Sequence, residues 1–414
     1  MSAAASNTRL PAFALLAGAL SAAGLPIYIY APKFYADNYG VSLTTLGALL
    51  FVLRVTDFAQ DPLLGWISER LKSHRARAAT AAGFVLAVSM IGLFAIPPFG
   101  YPVLWFALTV TGLFTAFSFL TINFYAQGIT TSAQISGGHL RLAAWRESGA
   151  LVGICIAAIV PSLLMSRVES PFAIFAVGYA LVTIFALFLF NQEWRSSIDT
   201  SQRPASLTTV LSDSIARRLL TLALINAIPL AVTSTLFLFF VESRLGAAGW
   251  EGVLLVLFFF AAALSAPAWS QIASKIGEKS TLLSAMVLAI VSFSFTLSLE
   301  DGDIWPFAVI CIASGASIGA DLTLLPAMFA KRMAEIAPNG GQGFGLWSLA
   351  TKFSLAFAAA SLLPALENAG FSSGQAVQPQ RALDRLTILY ALVPTALKFF
   401  SIILLISIPK EHVK

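Results

Sequence analysis

The stretch "LRVTDFAQDPLLGWISERLKSHRAR" (53–77) begins inside an apolar run and ends in a cluster of positive charge. Its first nine residues place Arg54, Asp57 and Asp61 among apolar neighbours. A charge at the centre of a membrane helix costs roughly 2.5–3.5 kcal/mol on insertion scales, so such residues are candidates for a functional site. The stretch therefore predicts a membrane helix that carries a buried polar site and ends at a cytoplasmic loop.

The composition of the whole chain supports this interpretation. Of the 414 residues, 58% are hydrophobic and only 11% are charged, whereas soluble domains have about 25% charged residues. The net charge of +5 is typical of loops that face a cytoplasm and anionic lipid, so we expect the lipid bilayer as a partner and no nucleic acid. Cys155 and Cys311 both lie inside apolar runs, which indicates small buried hydrophobic residues and no disulfide or metal site.

Twelve apolar stretches are long enough to cross a membrane, since a span needs about 20 mostly apolar residues. The predicted fold is an all-α membrane protein of twelve transmembrane helices. The N-terminal stretch resembles a secretory signal, but its apolar run continues, and we interpret it as the first span. The predicted spans are 10–34, 43–67, 79–99, 102–127, 140–165, 171–191, 216–241, 248–272, 280–300, 304–330, 342–366 and 386–408.

The connection 192–215 is longer and more polar than the others and divides the chain near its midpoint. We therefore predict an N-terminal six-helix bundle at 1–191, a cytoplasmic linker at 192–215 and a C-terminal six-helix bundle at 216–414. With the N-terminus inside, sixteen Lys and Arg residues fall in inner segments and five in outer ones. Because basic residues favour the cytoplasmic side, both termini are predicted to be cytoplasmic.

The two halves of the chain resemble each other. "GLPIYIY" (24–30) matches "AIPLAVT" (227–233), and "DPLLGWISERL" (61–71) matches "APAWSQIASKI" (266–276) at a shift of 205. "SGGHLRLAAWRESGAL" (136–151) resembles "NGGQGFGLWSLATKFSLAF" (339–357). Three matches at nearly one shift indicate a duplicated six-span unit. Two such units facing a central cavity are typical of a transporter, with prolines at 26 and 229 bending the first and seventh helices.

Asp57 and Asp61 are four residues apart and so share one face of a helix. Two carboxylates one turn apart repel each other unless a cation or a proton lies between them. Oxygen ligands suit a hard cation such as Na⁺, and a shared proton would serve equally well. Gln60 and Thr121 offer further oxygens. The structural alternative is that Arg54 neutralises Asp57 while Asp61 caps the cytoplasmic end of the helix.

Arg146 and Lys352 are cations in the fifth and eleventh spans, 206 positions apart. We expect them to bind an anionic or polyhydroxylated solute, or to hold the carboxylates when the cation leaves. Glu147 should project about 100° away from Arg146, toward another helix or into a structural ion pair. Asp321 is interpreted as structural, and Lys398 is expected to extend toward the inner interface.

Polar and aromatic side chains in the spans complete the candidate set. Aromatic faces stack on sugar rings or on apolar parts of a ligand, although an aromatic residue in a span more often serves packing. Asn123, Tyr125 and Trp347 rank first because they lie near the charged positions of the repeat. The full set is Tyr28, Asn123, Tyr125, Gln127, Asn226 and Trp347.

The sequence resembles a known family over its whole span layout. "RVTDFAQDPLLGWISERLKSHRAR" (54–77) resembles the second span and following loop of the glycoside–pentoside–hexuronide cation symporters, the melibiose permease group of the major facilitator superfamily. "WSLATKFSLAFAAA" (347–360) and "RLAAWRES" (141–148) are similar to its eleventh and fifth spans. The resemblance implies the facilitator fold, two six-helix pseudo-repeats and alternating access. It also implies a cation site at Asp57, Asp61, Gln60 and Thr121, with Arg146 and Lys352 near the substrate and the gates.

Three segments depart from the pattern of that family. Its sugar-binding members carry an acid in the first span and another in the fourth, whereas "GALSAAGLPIYIY" (18–30) and "TINFYAQG" (121–128) contain none. The exit of the tenth span, "FAKRMAEIAP" (329–338), lacks the usual acid-rich stretch. Cation coupling is therefore better supported than sugar transport, and an anionic or amphipathic solute becomes more plausible.

The sequence predicts a secondary transporter and no enzyme, since no pairing of a nucleophile with a base is evident. We expect symport of a small solute, sugar-like or an organic anion, coupled to Na⁺ or H⁺ by a monomer in a bacterial-type inner membrane, without a cofactor. Two alternatives stay open. One is a proton-driven exporter of apolar or amphipathic compounds, and the other is a lysolipid transporter or scramblase.

Overall fold

The computed structural model describes residues 10–24, 26–135, 138–165, 167–194, 207–337, 340–371 and 378–409. Every regular element in this part of the chain is helical. The α-helices are α1 Leu10–Ser21, α2 Ala31–Tyr39, α3 Leu43–Arg70, α4 Arg75–Phe94, α5 Pro102–Ser132, α6 Gly138–Met165, α7 Pro171–Trp194, α8 Leu207–Ser212, α9 Ser214–Phe239, α10 Glu251–Ile276, α11 Glu278–Ser294, α12 Ile304–Ile336, α13 Gly341–Glu367, α14 Gln380–Thr387 and α15 Val393–Ser407.

Local sequence signals account for where several helices begin and end. The Ser42 hydroxyl accepts a hydrogen bond from the Thr45 amide and so caps the start of α3. Helix α5 begins at Pro102, where a missing amide proton costs nothing. Helix α10 ends at Gly277, whose φ of 89° favours glycine. The long helix α3, which carries Arg54, Asp57 and Asp61, lies where the sequence predicted the second span.

Nine helical stretches within the described residues are long and apolar enough to cross a membrane. They correspond to the predicted third to tenth and twelfth spans. The predicted spans 10–34, 43–67 and 342–366 are also largely helical but do not belong to these nine. The chain is thus an all-helical membrane protein, and the count of twelve spans stays a prediction.

Several helices are interrupted by short π-helical segments. Pro26–Tyr30 separates α1 from α2, Phe240–Arg244 follows α9, and Ile388–Leu392 joins α14 to α15. Pro26 thus opens an irregular segment, whereas Pro229 lies inside the continuous helix α9. A π-helical turn replaces the regular hydrogen-bonding pattern of the α-helix. Such turns are often found at functional sites.

Contacts between Cα atoms divide the chain into two compact units. The first unit is Met1–Asp213 with Ala330–Leu349, and the second is Ser214–Phe329 with Ala350–Lys414. The short segment Ala330–Leu349 therefore belongs to the first unit, although it lies far along the chain. The predicted linker at 192–215 is described only outside residues 195–206, so the predicted domain bounds stay a prediction.

The core of the first unit depends on small residues between α1 and α6. A Cβ atom added at Gly149 would meet the carbonyl oxygen of Ala14, and one added at Gly153 would meet that of Gly18. In a bilayer, helices associate through such close backbone approach, since lipid offers no hydrophobic gain between them. Tight packing of α1 on α6 holds Arg146, near the start of α6, in a fixed position.

Candidate ion and solute site

Asp57 is buried in the first unit, where α3 packs against α5. Its Oδ1 atom accepts a 2.8 Å hydrogen bond from the Ser118 hydroxyl and a 3.4 Å bond from Gln60 Nε2. Its Oδ2 atom lies 3.6 Å from Arg54 Nη1. The carboxylate therefore interacts with one cation on its own helix and one hydroxyl on the neighbouring helix.

The two other predicted oxygen ligands, Gln60 and Thr121, differ in their contacts. Gln60 accepts a hydrogen bond from the Thr115 hydroxyl at 3.2 Å and is tied to α5 in this way. Thr121 is half-buried, and its hydroxyl makes no hydrogen bond within the described residues. The hydroxyl that reaches Asp57 is that of Ser118, one turn before Thr121. Ser118 and Thr121 are three residues apart and so share one face of α5. This spacing is the sequence signal from which Ser118 could have been predicted.

Asp61 lies one turn after Asp57 on α3 and is fully buried. Its backbone is covered by α13, since a Cβ added at Gly345 would lie 2.8 Å from the Asp61 carbonyl oxygen. The buried stretch of α3 thus carries two carboxylates and one guanidinium, with Arg54 partly exposed and both acids enclosed. Two ionised carboxylates one helical turn apart repel each other, and a cation or a proton beside them lowers that repulsion.

Arg146 and Glu147 form an ion pair. Arg146 Nε donates to Glu147 Oε1 at 2.8 Å, and both residues are buried. The guanidinium lies 3.8 Å from the ring centroid of Tyr125, whose hydroxyl donates to the same Oε1 atom at 3.1 Å. The ion pair is one of the two alternatives that the sequence left open for Glu147, and it forms because the long arginine side chain bends back to reach the neighbouring carboxylate.

The remaining predicted solute contacts are Asn123, Trp347, Lys352 and Tyr28. Asn123 is engaged at both ends of its amide, since it donates to Phe119 O and accepts from the Ser68 hydroxyl, each at 2.8 Å. Trp347 is buried in the first unit, and Lys352 is buried in the second. The side chain of Tyr28 lies outside the described part of the chain.

Two charged residues of the first unit are buried, although the sequence placed one in a loop and gave the other no role. Glu69 accepts a 3.1 Å hydrogen bond from the Gln342 amide at the start of α13, where a negative charge is favoured by the helix dipole. Arg75 is 2% exposed and donates to Gln127 at 3.4 Å. Arg75 was counted among the loop charges because its neighbours in "KSHRAR" (72–77) are basic.

Also in the first unit, Arg332 interacts with Asp213 and Glu335. The pair with Asp213 joins the end of α12 to the segment before α9, whereas the pair with Glu335 lies within α12. Together with the Glu69 contact, the Asp213 pair ties the segment Ala330–Leu349 to the rest of the first unit.

The second unit contains an ion pair between Lys398 and Asp321, which the sequence did not predict. Lys398 Nζ donates to Asp321 Oδ2 and to Asn226 Oδ1, the latter at 2.7 Å. All three residues are at most 5% exposed. The expectation that Lys398 extends to the interface was wrong, since its ammonium group is held by partners on α9 and α12.

The arrangement on α3 and α5 places two buried carboxylates near a guanidinium and a hydroxyl. The described residues contain no group of three or more His, Cys, Asp or Glu side chains that is placed to hold a metal ion. The Arg146 cluster offers a buried cation with an aromatic face.

The comparisons with known proteins agree with this architecture. A family profile described as MFS/sugar transport protein matches residues 12–411. A solved structure of a bacterial homologue of the iron transporter ferroportin in an outward-facing state has a TM-score of 0.72 at 14% identity, covering 95% of this chain and 99% of that one. A second structure of such a homologue with soaked iron has a TM-score of 0.70 at 14% identity, covering 96% and 98%. At this identity the likeness shows the fold. No curated protein sequence matches the chain significantly.

Proposed function

Since the chain belongs to the MFS/sugar transport protein family and is a membrane transporter, we propose that it couples the entry of Na⁺ or H⁺ to the symport of a small solute by alternating access. The solute class we favour is an organic anion or a sugar-like compound. Residence in a bacterial-type inner membrane with cytoplasmic termini is part of the same proposal.

The observation that carries this proposal is the burial of Asp57 and Asp61 on one face of α3. Arg54 Nη1 lies 3.6 Å from Asp57 Oδ2 and contributes positive charge beside the acids. A third partner of positive charge lowers the free energy of the pair, and its departure raises it again. An ion gradient can drive a carrier whose conformational state depends on whether the ion is bound. The size of this effect is limited by how much more tightly the ion binds one state than the other.

The Arg146 cluster supports an anionic or polyhydroxylated solute. Its guanidinium is buried and stacked on Tyr125, yet it shares its charge with Glu147. A solute hydroxyl can take the place of the Tyr125 hydroxyl as a donor to Glu147, and a solute carboxylate can accept hydrogen bonds from the Arg146 guanidinium. This assignment rests on the chemistry of the cluster, with Lys352 as a second candidate cation.

Transport into proteoliposomes tests the proposal. A panel of radiolabelled organic acids and sugars is offered under an imposed Na⁺ gradient, pH gradient or neither. We expect gradient-driven uptake of one class, reduced at least about tenfold in Asp57→Asn and Asp61→Asn, since each variant lacks a charge that the ion must neutralise.

Asp384→Asn, which removes an exposed carboxylate, is the matched control and should transport normally. Equal gradient-driven uptake by the wild type and by both α3 variants would remove the proposed ion site. Solute movement opposed to the ion flux would instead show an exporter, and lipid movement without any gradient would show a scramblase.

A further inference from the structure

The ion pair of the second unit lies beside a cavity of about 70 Å³. Since a single water molecule needs about 10–15 Å³ by this measure, the cavity has room for several waters but not for a drug-sized solute. Asp321 and Lys398 both line it, and no other charged side chain does so within the described residues. The pair therefore borders a small space that water and protons can occupy.

The polar groups around this cavity act as acceptors. Ser314 and Thr395 donate their hydroxyl protons to the carbonyl oxygens of Ile310 and Ala391, at 2.6 and 2.7 Å. The hydroxyls of Thr233 and Ser317 are used in the same way. These four hydroxyl groups already donate their protons, so their oxygens can only accept hydrogen bonds from a group that enters the cavity.

Asp321 adds one more acceptor to this set. Its Oδ2 atom takes a hydrogen bond from Lys398, whereas its Oδ1 atom has no hydrogen-bond partner within the described residues. Asp321 is 4% exposed, and a buried carboxylate oxygen without a donor is costly. A metal cation is disfavoured there because the Lys398 ammonium already occupies the carboxylate. A proton carries the required charge without needing a coordination shell.

We propose that Asp321 is a proton-binding site in the second unit, and that protonation releases Lys398. A proton from water in the cavity binds Oδ1, the carboxylate becomes a neutral acid, and Lys398 keeps its charge while its hydrogen bond to Oδ2 weakens. The new hydroxyl then donates to an acceptor of the cavity, such as Thr395 or Ser314.

The surrounding helices are built to respond to that change. Lys398 on α15, Asp321 on α12 and Asn226 on α9 tie three helices together through one ammonium group. The π-helical segment Ile388–Leu392 and Pro394 lie just before Lys398 on the same helix. Because such irregular turns lack the regular hydrogen-bonding pattern, loss of the pair lets α15 move relative to α9 and α12.

This site is separate from the acids on α3, and it requires no solute. Infrared difference spectra of the purified protein, recorded from about pH 4 to 9 across the ordinary titration range of carboxyl groups and histidine, report the carbonyl stretch of a protonated carboxylic acid. We expect one component of this band to disappear in Asp321→Asn and to persist in Asp57→Asn and Asp61→Asn. A failure of the α3 ion site in transport thus leaves this measurement unaffected.

A second pair of variants keeps the test independent of whether Asp321→Asn folds. In Lys398→Gln the component should remain, because its source is the carboxyl group of Asp321. In the double variant Asp321→Asn with Lys398→Gln it should be absent. If both of these variants give the same spectra over the whole pH range, Asp321 does not bind a proton and the pair is purely structural.

Discussion

The Ser118 hydroxyl on α5 donates a 2.8 Å hydrogen bond to Oδ1 of Asp57 on α3. This bond occupies a lone pair that an incoming cation or proton needs. It also makes the position of the carboxylate depend on how α5 packs against α3. At the proposed ion site, the strength of binding at Asp57 should therefore depend partly on a residue of another helix.

Replacing Ser118 by alanine should strengthen ion binding, because the ion no longer competes with the hydroxyl. A hydrogen bond to a charged group contributes about 1.5 kcal/mol or more, so the ion concentration for half-maximal uptake should fall about tenfold. The measurement is uptake against Na⁺ or proton concentration in proteoliposomes. Thr111→Val changes an exposed hydroxyl on the same helix and should leave the value unchanged, and equal values for Ser118→Ala and the wild type would contradict the prediction.

Removing one partner of the Arg146–Glu147 pair should destabilise the first unit more than removing both. Glu147→Gln leaves a buried guanidinium without its carboxylate, at a cost of about 3–5 kcal/mol. The double variant Arg146→Gln with Glu147→Gln carries no unbalanced charge and should recover much of that loss. Melting temperatures in detergent of the two single variants and the double variant measure the coupling, and strictly additive losses would show that the pair contributes no mutual stabilisation.

Adding a methyl group at Gly149 should disrupt the packing of α1 on α6. The new Cβ meets the carbonyl oxygen of Ala14, and such overpacking costs about 1–3 kcal/mol or more. Gly149→Ala should lower both the yield of folded protein and its melting temperature. Gly178→Ala is the matched control because nothing lies within 4 Å of its added Cβ. A Gly149→Ala protein as stable as the control would show that the two helices separate at little cost.

Neutralising Glu69 should loosen the start of α13. The carboxylate accepts from the Gln342 amide, and a charge at a helix N-terminus contributes about 1 kcal/mol. In Glu69→Gln, hydrogen exchange of the amides in 340–349 should therefore be about fivefold faster. Glu169→Gln, at an exposed loop position, should not alter exchange in that segment, and protection equal to the wild type in Glu69→Gln would show that the carboxylate charge is dispensable there.

The sequence by itself determined that this chain is a helical membrane protein. Hydropathy and charge act locally, so the run of apolar residues around Asp57 and Asp61 already predicts a span that carries buried acids. The resemblance to cation symporters depends on the same short spacing and agrees with the family match over 12–411. Helix boundaries at Ser42, Pro102 and Gly277 likewise follow from single residues.

Only the tertiary structure decided which side chains meet. Ser118 rather than Thr121 reaches Asp57, Arg146 bends to Glu147, and Lys398 pairs with Asp321. Such choices depend on the rotation of each helix about its axis and on side chains several ångströms long. Spacing along one helix fixes which residues share a face, but it does not fix which face of the neighbouring helix that face meets.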